Sequence, residues 1–303
     1  MSTVTATGQE VELISPEEKK IRGPDSLRDQ DSIFSYDTMD QFKATIWDYY
    51  NTNGRIQPWR HHPDPYHIVV SEMMLQQTQV RRVIEKYPSF ITRFPGFHAL
   101  ATAELTDILE EWQGLGYNRR ARYLKLIAQR VVKEFHGLLP DDKNILITFP
   151  GIGYATASSI AAFAFNKPVV FIETNIRRVF IHFFFSHTAT VSDAEILPFV
   201  TDALDTENPR EWYYALMDYG TMLGKKGGNP NKRSTHYTRQ SSFEGSDRQL
   251  RGKIIRFLLQ EQPVHIEVII SHIMGDEQRM KDIILGMERD GIIISKNGMI
   301  KIA

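Results

Sequence analysis

The segment from residue 143 to 185, KNILITFPGIGYATASSIAAFAFNKPVVFIETNIRRVFIHFFF, constrains the fold more than any other stretch. Pro150-Gly151-Ile152-Gly153 breaks an apolar pattern with two glycines, which predicts a short helix, a tight hairpin and a small-residue helix from Thr156 to Phe165. Both glycines are expected at backbone angles closed to other residues, and neither sets a side chain between the hairpin amides and an approaching anion. The following helix adds free N-terminal amides and the positive end of its dipole. Such a hairpin suits a nucleic-acid phosphate, although a plain helix-helix connection shares the pattern. Further on, Phe171-Ile172-Glu173-Thr174-Asn175 sets a carboxylate at a helix start, with Arg177 and Arg178 just beyond.

A second carboxylate lies upstream. Residues 66–80, YHIVVSEMMLQQTQV, predict a helix with Ile68, Val69, Met73 and Met74 facing a core, and Glu72 stands among them. Charged side chains are rarely placed in such company without a partner or a purpose. Gln76, Gln77, Thr78 and Gln79 are read as continuing this helix, an edge able to contact bases or fill an emptied base stack. Before it, Met39, Phe42, Ile46 and Tyr49 or Tyr50 recur at helical spacing until Asn51-Thr52-Asn53-Gly54 stops them. Trp59, in the stiff connector Pro58-Trp59-Arg60-His61-His62-Pro63-Asp64-Pro65, reads as a packing anchor. Several more helices follow up to residue 137, and within them GLGYNRRARYL places Tyr117, Arg119, Arg120 and Arg122 after a glycine break.

A net charge of -1 over 303 residues requires any nucleic-acid face to be a local patch. No segment is long and apolar enough to span a bilayer, and no apolar leader stands at the start, so a soluble protein of the cytoplasm is expected, with the nucleoid if the source is prokaryotic. Zero cysteines exclude disulfides and thiolate-held metal or iron-sulfur centres. Residues 1–33, polar and without periodicity, predict a flexible arm. At the other end, residues 246–303 predict three helices closed by a hairpin whose turn is Asn297-Gly298, similar to a winged helix (α+β).

SEMMLQQTQV, GLGYNRRAR, FPGIGYATA and ETNIRRV, in that order, resemble the helix-hairpin-helix DNA glycosylase superfamily, and within it the MutY-type adenine glycosylases. The resemblance runs from about Trp59 to Val179 and resumes near Ala215-Leu216-Met217-Asp218-Tyr219-Gly220. It implies an all-α, two-lobed domain over residues 34–245, with a six-helix barrel at about 67–180 and a second lobe from 34–66 and 181–245. It also implies double-stranded DNA as partner, acting on a monomer. Glu72 matches the family's catalytic Glu, and Gln76 and Gln77 lie in its base-stack-inserting segment. Glu173 stands where the family has Asp, one methylene shorter, and Asn175 matches the Asn that orients that group. Ala155 occupies the position of the lyases' Schiff-base Lys and the adenine enzymes' Ser, so no lyase step is available there. Tyr117 and Tyr154 are candidates for the base pocket, although Tyr154 reads equally as hairpin packing. Phosphate contacts are expected from Gly151, Gly153, Arg119, Arg120, Arg177, Lys225, Lys226, Lys232 and Arg233. The last four belong to a cationic stretch where relatives hold an iron-sulfur cluster. No cofactor is expected here beyond a monovalent cation on the hairpin carbonyls. The cluster's role of fixing the loop would pass to packing by Tyr219, Met222, Tyr237 and Phe243.

The chemistry needs two carboxyl groups, one to protonate the leaving base and one to support an oxocarbenium-like sugar. Glu72, in apolar surroundings that raise its proton affinity, is the expected acid, and Glu173, near a helix start and Arg177, the expected carboxylate. Adenine opposite guanine or 8-oxoguanine is the favoured substrate. The chain is too short for the larger lesion-reading domain of MutY enzymes, which leaves thymine or uracil opposite guanine as an alternative. A non-catalytic DNA-binding module is another.

Overall fold

The computed structural model describes residues 36–61, 63–226, 228–240, 242–273 and 276–303. The arm expected over residues 1–33 lies outside them. In chain order the elements are α1 (Tyr36–Asn53), α2 (Pro65–Leu75), α3 (Val80–Arg93), α4 (Phe97–Thr102), α5 (Leu105–Glu111), α6 (Arg119–Phe135), α7 (Lys143–Leu146), α8 (Tyr154–Phe165), α9 (Thr174–Phe184), α10 (Asp193–Ala203) and α11 (Pro209–Lys225). The C-terminal module follows with α12 (Asp247–Gln260), β1 (Val264–His265), α13 (Ile266–Ile273), α14 (Glu277–Arg289), β2 (Ile293–Lys296) and β3 (Met299–Ile302). The fold is therefore all-α, apart from one three-stranded sheet.

Local chemistry sets the boundaries that matter for the site. α1 stops at Asn53 because a Cβ on Gly54 would lie 2.7 Å from the Tyr50 carbonyl oxygen. α2 starts where Asp64 accepts the amides of Tyr66 (2.8 Å) and His67 (3.2 Å), with Pro65 at the first helical position. Trp59, in a single 3-10 turn at Pro58–Arg60, is buried and meets Tyr87 edge-on at 5.5 Å. It is the packing residue its sequence context suggested.

Two helical lobes result. In the first, α4 packs on α6, and α2 on α3 and α8; in the second, α1 and α9 pack on α11, and α10 on α9. α9, expected with the barrel, thus belongs by packing to the lobe that holds α1. Phe42 of α1 sits at ring-centroid distances of 5.0 to 6.0 Å from Phe180, Phe183, Phe184 and Trp212. Each such ring contributes about 1.5–3 kcal/mol when fully buried.

In the C-terminal module α12 packs on α13, α14 and β3, and the strands are antiparallel in the order β1-β3-β2. Asn297 (φ 52°) and Gly298 (φ 74°) form the left-handed two-residue turn between Lys296 and Met299. α12 also rests on α5, which ties the module to the first lobe.

Candidate active site

A cavity of roughly 300 Å³ opens between the lobes, and Glu72, Glu173, Asn175 and Ala155 all line it. Glu72 reaches it from the middle of α2. Burial pushes its carboxyl up to about 7, a hydrogen bond from Ser159 lowers it, the charge of Glu173 raises it, and Arg60 lowers it. Ser159 Oγ lies 2.5 Å from Glu72 Oε2 and 3.0 Å from the Thr156 carbonyl oxygen. A hydroxyl has one proton to give. Ser159 can donate it to an ionised Glu72, or accept from a protonated Glu72 and donate to Thr156 instead. It serves the carboxyl in both states.

Glu173 caps α9: its Oε1 accepts the amides of Asn175 (2.7 Å) and Ile176 (2.9 Å), and its Oε2 lies 3.3 Å from Asn175 Nδ2. Arg178 donates to Asn175 Oδ1 (2.9 Å) and to the Gly220 carbonyl (2.6 Å), so the Asn175 amide is fixed with its nitrogen toward Glu173. Gly220 permits the close crossing of α11 over α9, since a Cβ there would lie 2.5 Å from the Asn175 carbonyl oxygen. The expectation that Glu173 ionises readily is corrected. Burial raises its carboxyl above the usual value, against the two amides, Arg177 and Arg178.

Arg60 and Tyr214, both on the cavity wall, carried no signal of a site role. Arg60 makes a two-pronged contact with the buried Asp218 at 2.8 and 2.9 Å, and its guanidinium lies 4.3 Å from the centre of the Tyr214 ring. Burial raises the Asp218 carboxyl, but hydrogen bonds and charges from Arg60 and Arg55 bring it below its usual value overall. Ser159 was hidden in a run of small residues, where the only hint was a Ser158-Ser159 pair in an otherwise apolar helix. Tyr154 is absent from the cavity wall: it is exposed, and its hydroxyl accepts from Lys143 Nζ at 3.1 Å. As the first residue of α8 it projects outward, where Ala155 turns inward.

The glutamine edge also differs from expectation. α2 ends at Leu75, and residues 76–79 form a turn in which Gln77 is exposed with a left-handed φ of 53°. The cause is Arg120. Expected to meet phosphate, it is buried, and one guanidinium nitrogen donates to the carbonyls of Met73 (2.7 Å), Met74 (2.9 Å) and Gln76 (2.7 Å), closing the C-terminus of α2. Gln76 Nε2 then joins the turn to the Gly151 carbonyl (3.1 Å), a candidate cation ligand. Gln77, Tyr117, Arg119 and Gly151 line a second cavity of roughly 410 Å³, which shares Gln76 with the first.

The remaining phosphate candidates divide by what already holds them. Gly151 is left-handed (φ 76°), and a Cβ there would lie 2.4 Å from the Tyr123 ring. Gly153 has an ordinary φ of −88°, so only the first glycine needs its freedom. Arg177 is clamped by Asp193 at 2.6 and 2.7 Å. Arg233 donates to the carbonyls of Phe185, Ser186 and Thr188 and closes the end of α9. Both are structural, because each guanidinium fork is occupied. Arg119 is exposed, 3.3 Å from Asp290, while Lys225, Lys226 and Lys232 project into solvent.

Residues 70–197 match the family model described as HhH-GPD superfamily base excision DNA repair protein. The adenine DNA glycosylase of Mycolicibacterium smegmatis is 32% identical over 231 residues, covering 69% of this chain and 78% of that protein. The chain belongs to the HhH-GPD superfamily. The adenine DNA glycosylase of Buchnera aphidicola is 35% identical over 187 residues, 60% of this chain, and the chain spans about half (52%) of that relative's length. In fold the superfamily member resembles a thermostable thymine-DNA glycosylase structure, with a TM-score of 0.56 at 23% identity over 65% of this chain and 92% of the other.

An iron-sulfur cluster of the kind the superfamily resemblance implies does not fit this chain, which has no cysteine. The segment after α11 is held by hydrogen bonds instead: Asn231 donates to the Thr174 carbonyl (2.8 Å), Asn229 accepts from Arg178 (3.0 Å), and Arg233 grips α9. The expected aromatic packing is not what fixes it, since Tyr237 and Phe243 are exposed.

Proposed function

We propose that this HhH-GPD protein is a monofunctional DNA glycosylase that extrudes a mismatched base and hydrolyses its N-glycosidic bond, with adenine opposite guanine or 8-oxoguanine as substrate. The observation that carries the reading is the pair of carboxyl groups, Glu72 and Glu173, lining one interlobe cavity. Two carboxyls sharing one cavity hold one charge at lower cost than two. In the working state Glu72 carries the proton and Glu173 the charge. Glu72 protonates the departing base, while Glu173, steadied by its two amides and Asn175, supports positive charge on the sugar and receives the proton of the attacking water. Ser159, freed by protonation of Glu72, turns its donor to Thr156. The products are the free base and an abasic site. Ala155 offers no amine, so strand cleavage through that position does not follow.

The similarity to adenine DNA glycosylases supports adenine. The outward position of Tyr154 removes the residue that favoured thymine. Incubation with duplexes bearing A:G, A:8-oxoguanine, T:G and U:G, followed by alkali, tests the reading. Strand breaks at adenine are expected; breaks only at thymine or uracil would reassign the substrate, and none at all would leave a binding module.

A further inference from the structure

A third cavity, roughly 220 Å³, lies where α12 of the C-terminal module faces the turn at residues 114–116 and the start of α3. Arg82, Arg248, Lys253 and Arg256 line it, and among the described residues no carboxylate does. Like charges around one opening repel, and a polyanion relieves that repulsion by releasing its own counterions. The cavity adjoins the surface that carries Gln77: Asn118 borders both, and Arg248 Nη1 donates to Tyr117 Oη at 2.7 Å.

α14 is differently equipped. As the second helix of a helix-turn-helix it would be the one to enter a DNA groove. Its charges are spent within the module, Lys281 on Glu277 (2.6 Å), Asp282 on Gln278 (3.1 Å) and Arg279 on Asp247 (2.6 Å). We propose that the module engages DNA through α12: Arg82, Lys253 and Arg256 border the phosphodiester backbone flanking the extruded base, extending a track that begins at the Gly151 hairpin and Gln77. The proposal rests on the glycosylase reading above.

The test compares the parent, the triple variant Arg82→Ala/Lys253→Ala/Arg256→Ala, and the control Lys281→Ala/Arg289→Ala on α14. Duplex affinity is measured across salt concentrations, and base release under single-turnover conditions at saturating protein. The triple variant is expected to flatten the slope of log affinity against log salt by about 2 units, with base release at saturation and melting temperature unchanged. The control should keep the parent's slope. An unchanged slope in the triple variant, or equal flattening in the control, overturns the role of α12. A parent that neither binds duplex nor releases a base overturns the glycosylase reading itself, a separate and recognisable outcome.

Discussion

At the scale of single residues, Glu72 separates a catalytic cavity from a merely shaped one. Glu72→Gln should reduce base release by about 100-fold or more, the usual worth of a positioned acid, with duplex binding within a few fold of the parent. Stability moves the other way. The folded value near 7 exceeds the ordinary 4.5, so what this carboxyl contributes is complete below about 4.5 and lost as pH rises through 7. The amide suffers no such loss, and Glu72→Gln should melt higher than the parent at pH 8; a lower melting temperature would make Glu72 structural. Base release should decline as pH rises through about 7. Because the Ser159 hydrogen bond lowers the Glu72 carboxyl, Ser159→Ala should move this alkaline limb to higher pH. An unmoved limb would reduce Ser159 to packing. Glu72 was legible because a carboxylate among Ile68, Val69, Met73 and Met74 contradicts its surroundings. Arg60 and Ser159 were not, since their partners lie 158 and 87 residues away.

At the scale of elements, the start of α9 combines a cap with a catalytic group, and substitutions separate the two. Glu173→Asp keeps a charged acceptor of a type favoured at helix starts, and should retain or raise base release. Glu173→Gln can still accept the amides but carries no charge, so it should melt near the parent while losing activity. Glu173→Ala should lose activity together with about 1 kcal/mol of stability; an active Ala variant would remove Glu173 from the chemistry. The end of α2 was misread for a physical reason. Residues 76–79 have helical propensity, and what ends the helix is Arg120, 44 residues from the Gln76 carbonyl it binds. Arg177 and Arg233 misled in the same way. A guanidinium in the sequence announces a cation, but only the folded chain shows whether a carbonyl or carboxylate has claimed it. Turns were easier to read, because Gly54, Gly151 and Asn297-Gly298 act through their own backbones.

At the scale of the whole molecule, the exposed cations near α11 invite a test against the structural one. Lys225→Ala/Lys226→Ala/Lys232→Ala should flatten the salt dependence of duplex binding. Arg233→Ala should instead lower the melting temperature, because charge-assisted hydrogen bonds to the carbonyls of Ser186 and Thr188, each worth about 1.5–3 kcal/mol, are lost. Chelators are expected to leave melting temperature and base release unchanged; stoichiometric iron or zinc whose removal ends activity would overturn this. The bipartite second lobe has a consequence for synthesis. Tyr50 of α1 donates to Glu211 of α11, 161 residues later, whereas α2 to α8 form one contiguous stretch. On the ribosome the first lobe can condense early, its closest contacts being local, while α1 waits without its partner until α11 has emerged. The wall that carries Glu173 is thus completed late, and a nascent chain holds its acid before it holds the group that makes the acid useful.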